Sequence, residues 1–260
     1  MKKFIYIKLN TKESSIKTSD YVIGHPSVFS IAQFLHAILN RKTNFIENDI
    51  DINNTKNFPA NIIVKLNNIN PYGIFKGQEY FSSVYNSHLK NLGIEETGIF
   101  SNAIADIELE MFFEVNNNHD IFEEYNEDIE NHIIYNIERS KFLKGFIEDY
   151  EVQIFSFEEE NDYINKINDD FGFFYKKINE PFNLENAIIN NNLTLLGYSF
   201  LNKVKLEELK EDKFYFVEPV LGQIEFDKNY PNSNKITKEN IKNYQFNLQN
   251  LYDEHLVYLN

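Results

Sequence analysis

Cysteine is absent from all 260 residues. That removes disulfides, thiolate metal sites and cysteine nucleophiles together, and it fits a reducing compartment. Tryptophan is absent as well, so the 15% aromatic content is Phe and Tyr alone. Positive charge is scarce: 25 Lys and Arg stand against 40 Asp and Glu, a net charge of −15. Acidic chains are usually poor general binders of phosphate backbones. No apolar run approaches the length of a transmembrane helix. The start, Met1 to Lys8, turns polar too soon for a signal peptide. These absences lead to the expectation of a cytoplasmic, soluble protein without membrane contact. No P-loop, Gly-x-Ser-x-Gly or His-Glu-x-x-His pattern occurs, and the six histidines, at 25, 36, 88, 119, 132 and 255, lie far apart. No catalytic set, metal site or cofactor is expected.

What is present is enough to fold. A 42% hydrophobic fraction over this length supports a buried core. Asn, Ile, Lys and Glu are abundant, a bias that lowers the information in any single Asn or Lys. Residues 3–9 read as a strand. Gly24-His25-Pro26-Ser27 gives turn chemistry, with Ser27 as N-cap of a helix over 28–40 whose apolar stripe holds Phe29, Ala32, Phe34, Leu35, Ile38 and Leu39. Strands are expected over 62–67 and 103–115. In the second, Ile107, Leu109, Met111 and Phe113 point one way, and Asp106, Glu108, Glu110 and Glu114 form a solvated acidic face. A helix is expected over 119–144, acidic early and basic late. Further strands are expected over 150–157, 193–200, 214–217 and 221–226, and helices over 161–169, 203–210 and 238–252. Helices and strands mix without strict alternation, which indicates an α+β class.

Several residues carry possible chemistry beside a plainer role. Gly24, His25, Pro26 and Ser27 either hold a phosphate at a helix N-terminus or form only a capped turn. His36, on an apolar helix face, reads as a core or interface histidine. Tyr198, after Gly197 on a strand, is either a base-stacking ring or core. Arg139, Lys141, Lys144, Lys176 and Lys177 are either nucleic-acid backbone contacts or a solvated face.

Gly24 to Ile38, Ala105 to Phe113, and Gly197-Tyr198-Ser199 followed by Phe216 to Gln223 are collinear segments. Together they resemble signatures of the subunit that binds the crRNA 5′ handle in type I-F (Csy-type) CRISPR Cascade complexes, a RAMP-superfamily protein. The resemblance implies a RAMP/RRM-like (ferredoxin-like) core over 1–118 and 190–260, with a mostly helical insertion over 119–189. It implies a non-catalytic subunit bound to crRNA, to backbone subunits and, in some complexes, to a large subunit, meeting target DNA indirectly. Lys203 and Lys205 stand nearest to the basic residues that the family carries near its Gly-Tyr element. Two alternatives stay open: an acidic decoy that inhibits such complexes, and a RAMP-type endoribonuclease that processes guide RNA.

Overall fold

The computed structural model describes residues 2–16, 25–40, 59–76, 101–115, 126–157, 160–178, 183–190, 192–200, 217–231, 233 and 235–247. The described chain is α+β, dominated by one antiparallel sheet with few helices. Its elements are β1 (Lys2–Ser15), α1 (Val28–Asn40), β2 (Pro59–Lys76), β3 (Ser101–Val115), α2 (Asn126–Glu138), β4 (Lys141–Phe142), β5 (Gly145–Phe157), α3 (Glu160–Asn168), β6 (Gly172–Lys177), α4 (Leu184–Ile189), β7 (Leu193–Phe200), β8 (Val217–Asn229), a 3-10 turn (Ile241–Asn243) and β9 (Phe246–Asn247). The strand order is β4-β5-β1-β3-β2-β6-β8-β7, and β9 pairs with β2.

The main core lies on one face of the sheet. Ile5, Ile7 and Leu9 of β1, Val64 of β2, and Ile107, Leu109 and Met111 of β3 pack with Leu35 and Ile38 of α1 and Ile133 and Ile137 of α2. Fully burying each such side chain contributes about 1.5–3 kcal/mol. Polar atoms fasten the two helices together. Asn136 Nδ2 donates to the Ile38 carbonyl (2.8 Å), and His132 Nε2 bonds the Leu39 carbonyl (3.0 Å). These are carbonyls of the last turn of α1, where the helix itself supplies no donor.

The opposite face is divided along its length. At one end α3 and the 3-10 turn cover Phe4, Tyr6, Ile63, Phe112 and Phe174. Beneath this cover Lys65 and Glu110 form an ion pair of 2.8 Å, with both side chains at 2% exposure or less. Lys65 Nζ also donates to the Ile167 carbonyl of α3 (3.4 Å), and Asn67 donates to Glu110. The acidic face expected on β3 is therefore not wholly solvated. Helix α3 crosses it at Glu110, and the carboxylate is kept by a lysine directly across the strand pair. At the other end this face is open and polar.

The expected helix over 28–40 and strand over 193–200 match α1 and β7 in their bounds. Other segments differ. The helix expected through 144 ends at Glu138, and 141–157 form the hairpin β4–β5. Leu143 and Lys144 adopt φ of 50° and 70°, the left-handed pair that a two-residue hairpin turn of this hand needs. Gly145 follows because β1 passes against it: an added Cβ would lie 2.5 Å from the Lys12 carbonyl oxygen. The helix expected from 238 is, in its described part, a 3-10 turn and the short strand β9. Asn240 bonds the Thr237 N–H and the Lys235 carbonyl, which competes with helical bonding. Strand β6 and helix α4 had no counterpart in the expectations. The stretch 119–189 is not set apart from the sheet. It carries α2, α3 and α4, but β5 pairs with β1 along 11 residue pairs and β6 pairs with β2. The expected elements over 203–210 and 214–216 lie outside the described residues.

Candidate nucleic-acid interface

The turn before α1 is interior. His25, Pro26 and Ser27 are buried, and Gly24 lies outside the described residues. The His25 ring meets Phe226 and Tyr175 edge-on, with centroids 4.9 and 5.6 Å away. Its Nδ1 bonds the Pro26 carbonyl (3.0 Å), which also accepts from the Tyr175 hydroxyl (3.0 Å). Desolvation lowers the His25 pKa to about 4, so the ring is neutral at physiological pH. Ser27 caps the helix: its Oγ accepts from Ser30 N–H (3.1 Å), and its carbonyl accepts from Ile31 N–H. Val28 N–H donates to Thr194 Oγ1 of β7 (3.2 Å). These amides serve the fold rather than an incoming phosphate.

Gly197 is buried in β7, beside a shift in its register with β8, and Tyr198 pairs along the backbone with Pro219. Lys203 and Lys205 lie outside the described residues, as does the side chain of His36 on α1. On β6, Lys176 is bound to Glu225 (3.0 Å) and lies 3.8 Å from Asp227. Lys177 is half-buried, and desolvation lowers its pKa.

Arg139, Lys141 and Lys144 do come together, at the corner where α2 turns into the β4–β5 hairpin. Arg139 stacks on Tyr135, its Cζ 3.5 Å from the ring centre, and donates to the Tyr135 carbonyl. Lys141 Nζ lies 4.8 Å from the centre of the Phe146 ring, which is 57% exposed. Among the described residues Lys141 and Lys144 form no ion pair. A cation poised on an exposed ring offers a partner for a phosphate and a flat surface for a base.

Phe146 leads onto the open end of the polar face. It sits opposite Lys12 of β1, and Asp106, which Lys12 binds at 2.9 Å, sits opposite Asn70 of β2. Neighbouring strands are about 4.8 Å apart, so this row crosses four strands in roughly 15 Å. A cleft of about 180 Å³ opens here, lined by Asn10, Thr11, Lys12, Asn68, Asn70, Asp106, Ile107, Glu108 and Glu148. Tyr72, half exposed, borders it through hydrogen bonds to both Asp106 oxygens (2.7 and 2.8 Å).

The charges of the cleft are largely spoken for. Slight desolvation would raise the Asp106 pKa, but hydrogen bonds from Lys12, Tyr72 and the Glu13 N–H outweigh it and hold the carboxyl below its ordinary value. Lys8 pairs with Glu108 (3.0 Å), and Lys12 also reaches Glu148 (3.5 Å). The amides are not spoken for. Among the described residues Asn10, Asn68 and Asn70 make no side-chain hydrogen bond, and the Asn10 Oδ1 is buried with nothing to donate to it. A buried acceptor without a donor is uncommon. Between two exposed rings, free amides suit the hydrogen-bonding edge of a base better than a phosphate.

None of the cleft residues stood among the sequence candidates. Asn is too common in this chain to signal a site, and Asp106 and Glu108 read as a solvated strand face. Among the described residues no group of three His, Asp or Glu side chains converges as metal ligands. No described helix is long and apolar enough to cross a membrane. No protein-family model matches the chain, and no curated protein matches it.

Proposed function

We propose that this chain is a non-catalytic subunit that holds the 5′ handle of the crRNA in a type I-F-like CRISPR surveillance complex, with a RAMP/RRM-like, ferredoxin-like core. The observation that carries the reading is the order of the described elements up to residue 157. They run β1-α1-β2-β3-α2-β5, apart from the two-residue β4, with the strands ordered β5-β1-β3-β2 and both helices packed on one face. That order is compatible with a split βαβ arrangement and supports the reading. RNA-recognition folds stack and read unpaired bases on the face opposite the two helices. Here that face offers Phe146 and Tyr72 with Asn10, Asn68 and Asn70 between them. The three collinear sequence segments support the same family.

In this reading the His25 to Ser27 turn and Gly197 shape the core. RNA contacts fall to the open face and to Arg139, Lys141 and Lys144. Net charge of −15 makes binding local, with basic backbone subunits supplying the remaining attraction. The same charge favours a second reading, an acidic decoy that occupies such a complex without supporting it.

The test is co-expression of the tagged full chain with its genomic neighbours, followed by sequencing of the small RNA recovered. The expected result is one class of small RNA sharing a common 5′ end, with recovery reduced by Phe146→Ala combined with Tyr72→Ala. Recovery of backbone subunits without small RNA would sink the handle reading. Loss of interference on supplying the chain in trans to an active complex would favour the decoy.

A further inference from the structure

A second cation-and-ring cluster lies on the opposite face of the sheet, away from the open cleft. Phe171, just before β6, meets Phe173 edge-on with ring centres 5.7 Å apart and meets Tyr230 at 5.9 Å. Phe171 is 40% exposed and Tyr230 is 55% exposed. Lys228 of β8 lies opposite Phe173 in register, and its ammonium sits 4.9 Å from the Tyr230 ring centre and 5.7 Å from that of Phe171. Alternation places this cluster on the helix-bearing face, because Tyr175, two residues after Phe173, lies in the main core while Phe174 faces α3.

Core packing does not account for it. Tyr175 and Phe226 continue the same two rows inward and are buried or half-buried around His25, whereas Phe171 and Tyr230 present ring surface to solvent. Neither does ion pairing account for Lys228, which has no carboxylate partner among the described residues of a chain that carries 40 acidic ones. The nearest acid in sequence on β6's approach, Asp170, acts electrostatically on Tyr6 and Lys8, on the far face.

We propose that Phe171, Phe173, Tyr230 and Lys228 form a second station for single-stranded nucleic acid, the rings stacking unpaired bases and the lysine meeting the adjoining phosphate. The occupant must offer flat apolar surface and negative charge in one repeat, and an unpaired nucleic-acid strand does so at every residue. The proposal deepens the nucleic-acid reading above, but it does not depend on the open-face cleft or on the identity of the RNA.

The experiment uses the purified full chain and a short oligoribonucleotide of generic sequence containing 2-aminopurine, whose fluorescence falls when the base stacks. The expected result is quenching on binding, with affinity about tenfold weaker for each ring removed in Phe171→Ala and Tyr230→Ala. Tyr230→Phe keeps the quench, because the ring remains. Lys228→Gln leaves the quench and lowers the salt dependence of binding by about 0.7 in log–log slope, as loss of one phosphate contact requires. Urea midpoints of the same variants, measured alongside, separate lost binding from lost folding. Undiminished quench and affinity in the Phe171→Ala, Tyr230→Ala double variant would overturn the proposal. So would failure of the wild-type chain to quench the probe, or a wild-type oligomer that the double variant disperses, which would assign the rings to contact between copies. A chain that recovers no guide RNA from cells but still quenches the probe through these rings would fail the handle reading and keep this one.

Discussion

On the helix-bearing face, Ile5, Ile7 and Leu9 of β1 belong to one continuous apolar core with α1 and α2. The residues between them, Tyr6, Lys8 and Asn10, belong to the other face and pass from a buried ring to a half-buried cation to a free amide. One strand thus supplies a uniform surface on one side and a graded one on the other. The gradient follows from what covers each stretch. Helix α3 crosses near Tyr6 and Lys65 and excludes water there, and no described element crosses Asn10 or Lys12. Burial on the first face comes from many interchangeable apolar contacts. At the covered end of the second, apolar rings enclose one ion pair whose members depend on each other.

That difference can be broken most directly at Lys65. Lys65→Met leaves Glu110 buried beside methylene groups and should cost about 3–5 kcal/mol, measured as a fall in the urea midpoint. Lys65→Met with Glu110→Leu should recover most of the loss, because the pair is replaced rather than halved. Single and double variants of equal stability would mean that the ion pair is not what makes this end costly to disturb.

The helix-bearing face hides a titrating group instead. His25 has a pKa of about 4 when folded, below its ordinary 6.5, because burial disfavours the charged ring. The unfolded chain therefore binds the proton more readily. Stability from this group is full above about pH 6.5 and is lost as pH falls toward 4, by about 3 kcal/mol in total. His132, also lowered by desolvation, acts in the same sense. Urea unfolding at pH 7 and pH 4.5 measures the slope, and His25→Gln should flatten it. A slope unchanged by that substitution would remove His25 as its source.

Between the faces stands the hairpin edge. Gly145→Ala pushes a methyl group against Ser14 and the Lys12 carbonyl and should cost about 1–3 kcal/mol, read as a lower melting temperature. Smallest of all should be Asn68→Ala at the open end. Asn68 is exposed and its side chain makes no hydrogen bond among the described residues, so stability should stay within about 0.5 kcal/mol. In the proposed function the same change weakens RNA retention, and a folded variant that keeps full retention would exclude Asn68 from the interface.

Much of the fold was legible because its signals are local. Ser27 three residues ahead of the amide it caps, and apolar side chains at helical spacing after it, define α1 without reference to the rest of the chain. Period-two alternation placed β3 within two residues of its bounds. The hairpin at 141–157 was not legible, because Leu143-Lys144 carries none of the usual Asn or Gly of such a turn and its left-handed backbone is held by tertiary bonds. The Ser14 hydroxyl donates to the Phe142 carbonyl, and the Ser15 N–H donates to that of Leu143. Strand β9 is too short to show a pattern, and only its partner β2 makes it a strand. The site was less legible than the fold. Of the described residues marked for RNA, His25 and Ser27 turned inward, Lys176 was taken by Glu225, and the Arg139, Lys141 and Lys144 corner reached the surface.

The sequence by itself determined the compositional limits, the α+β class, the capped first helix and the alternating strands, since each depends on residues within a few positions of one another. The tertiary structure decided which polar residues are buried and which are free. Glu108 and Glu110 are indistinguishable by pattern, two residues apart on one face of one strand. One pairs with Lys8 in partial exposure, and the other is sealed against Lys65 because α3, some fifty residues further along the chain, ends its crossing above it.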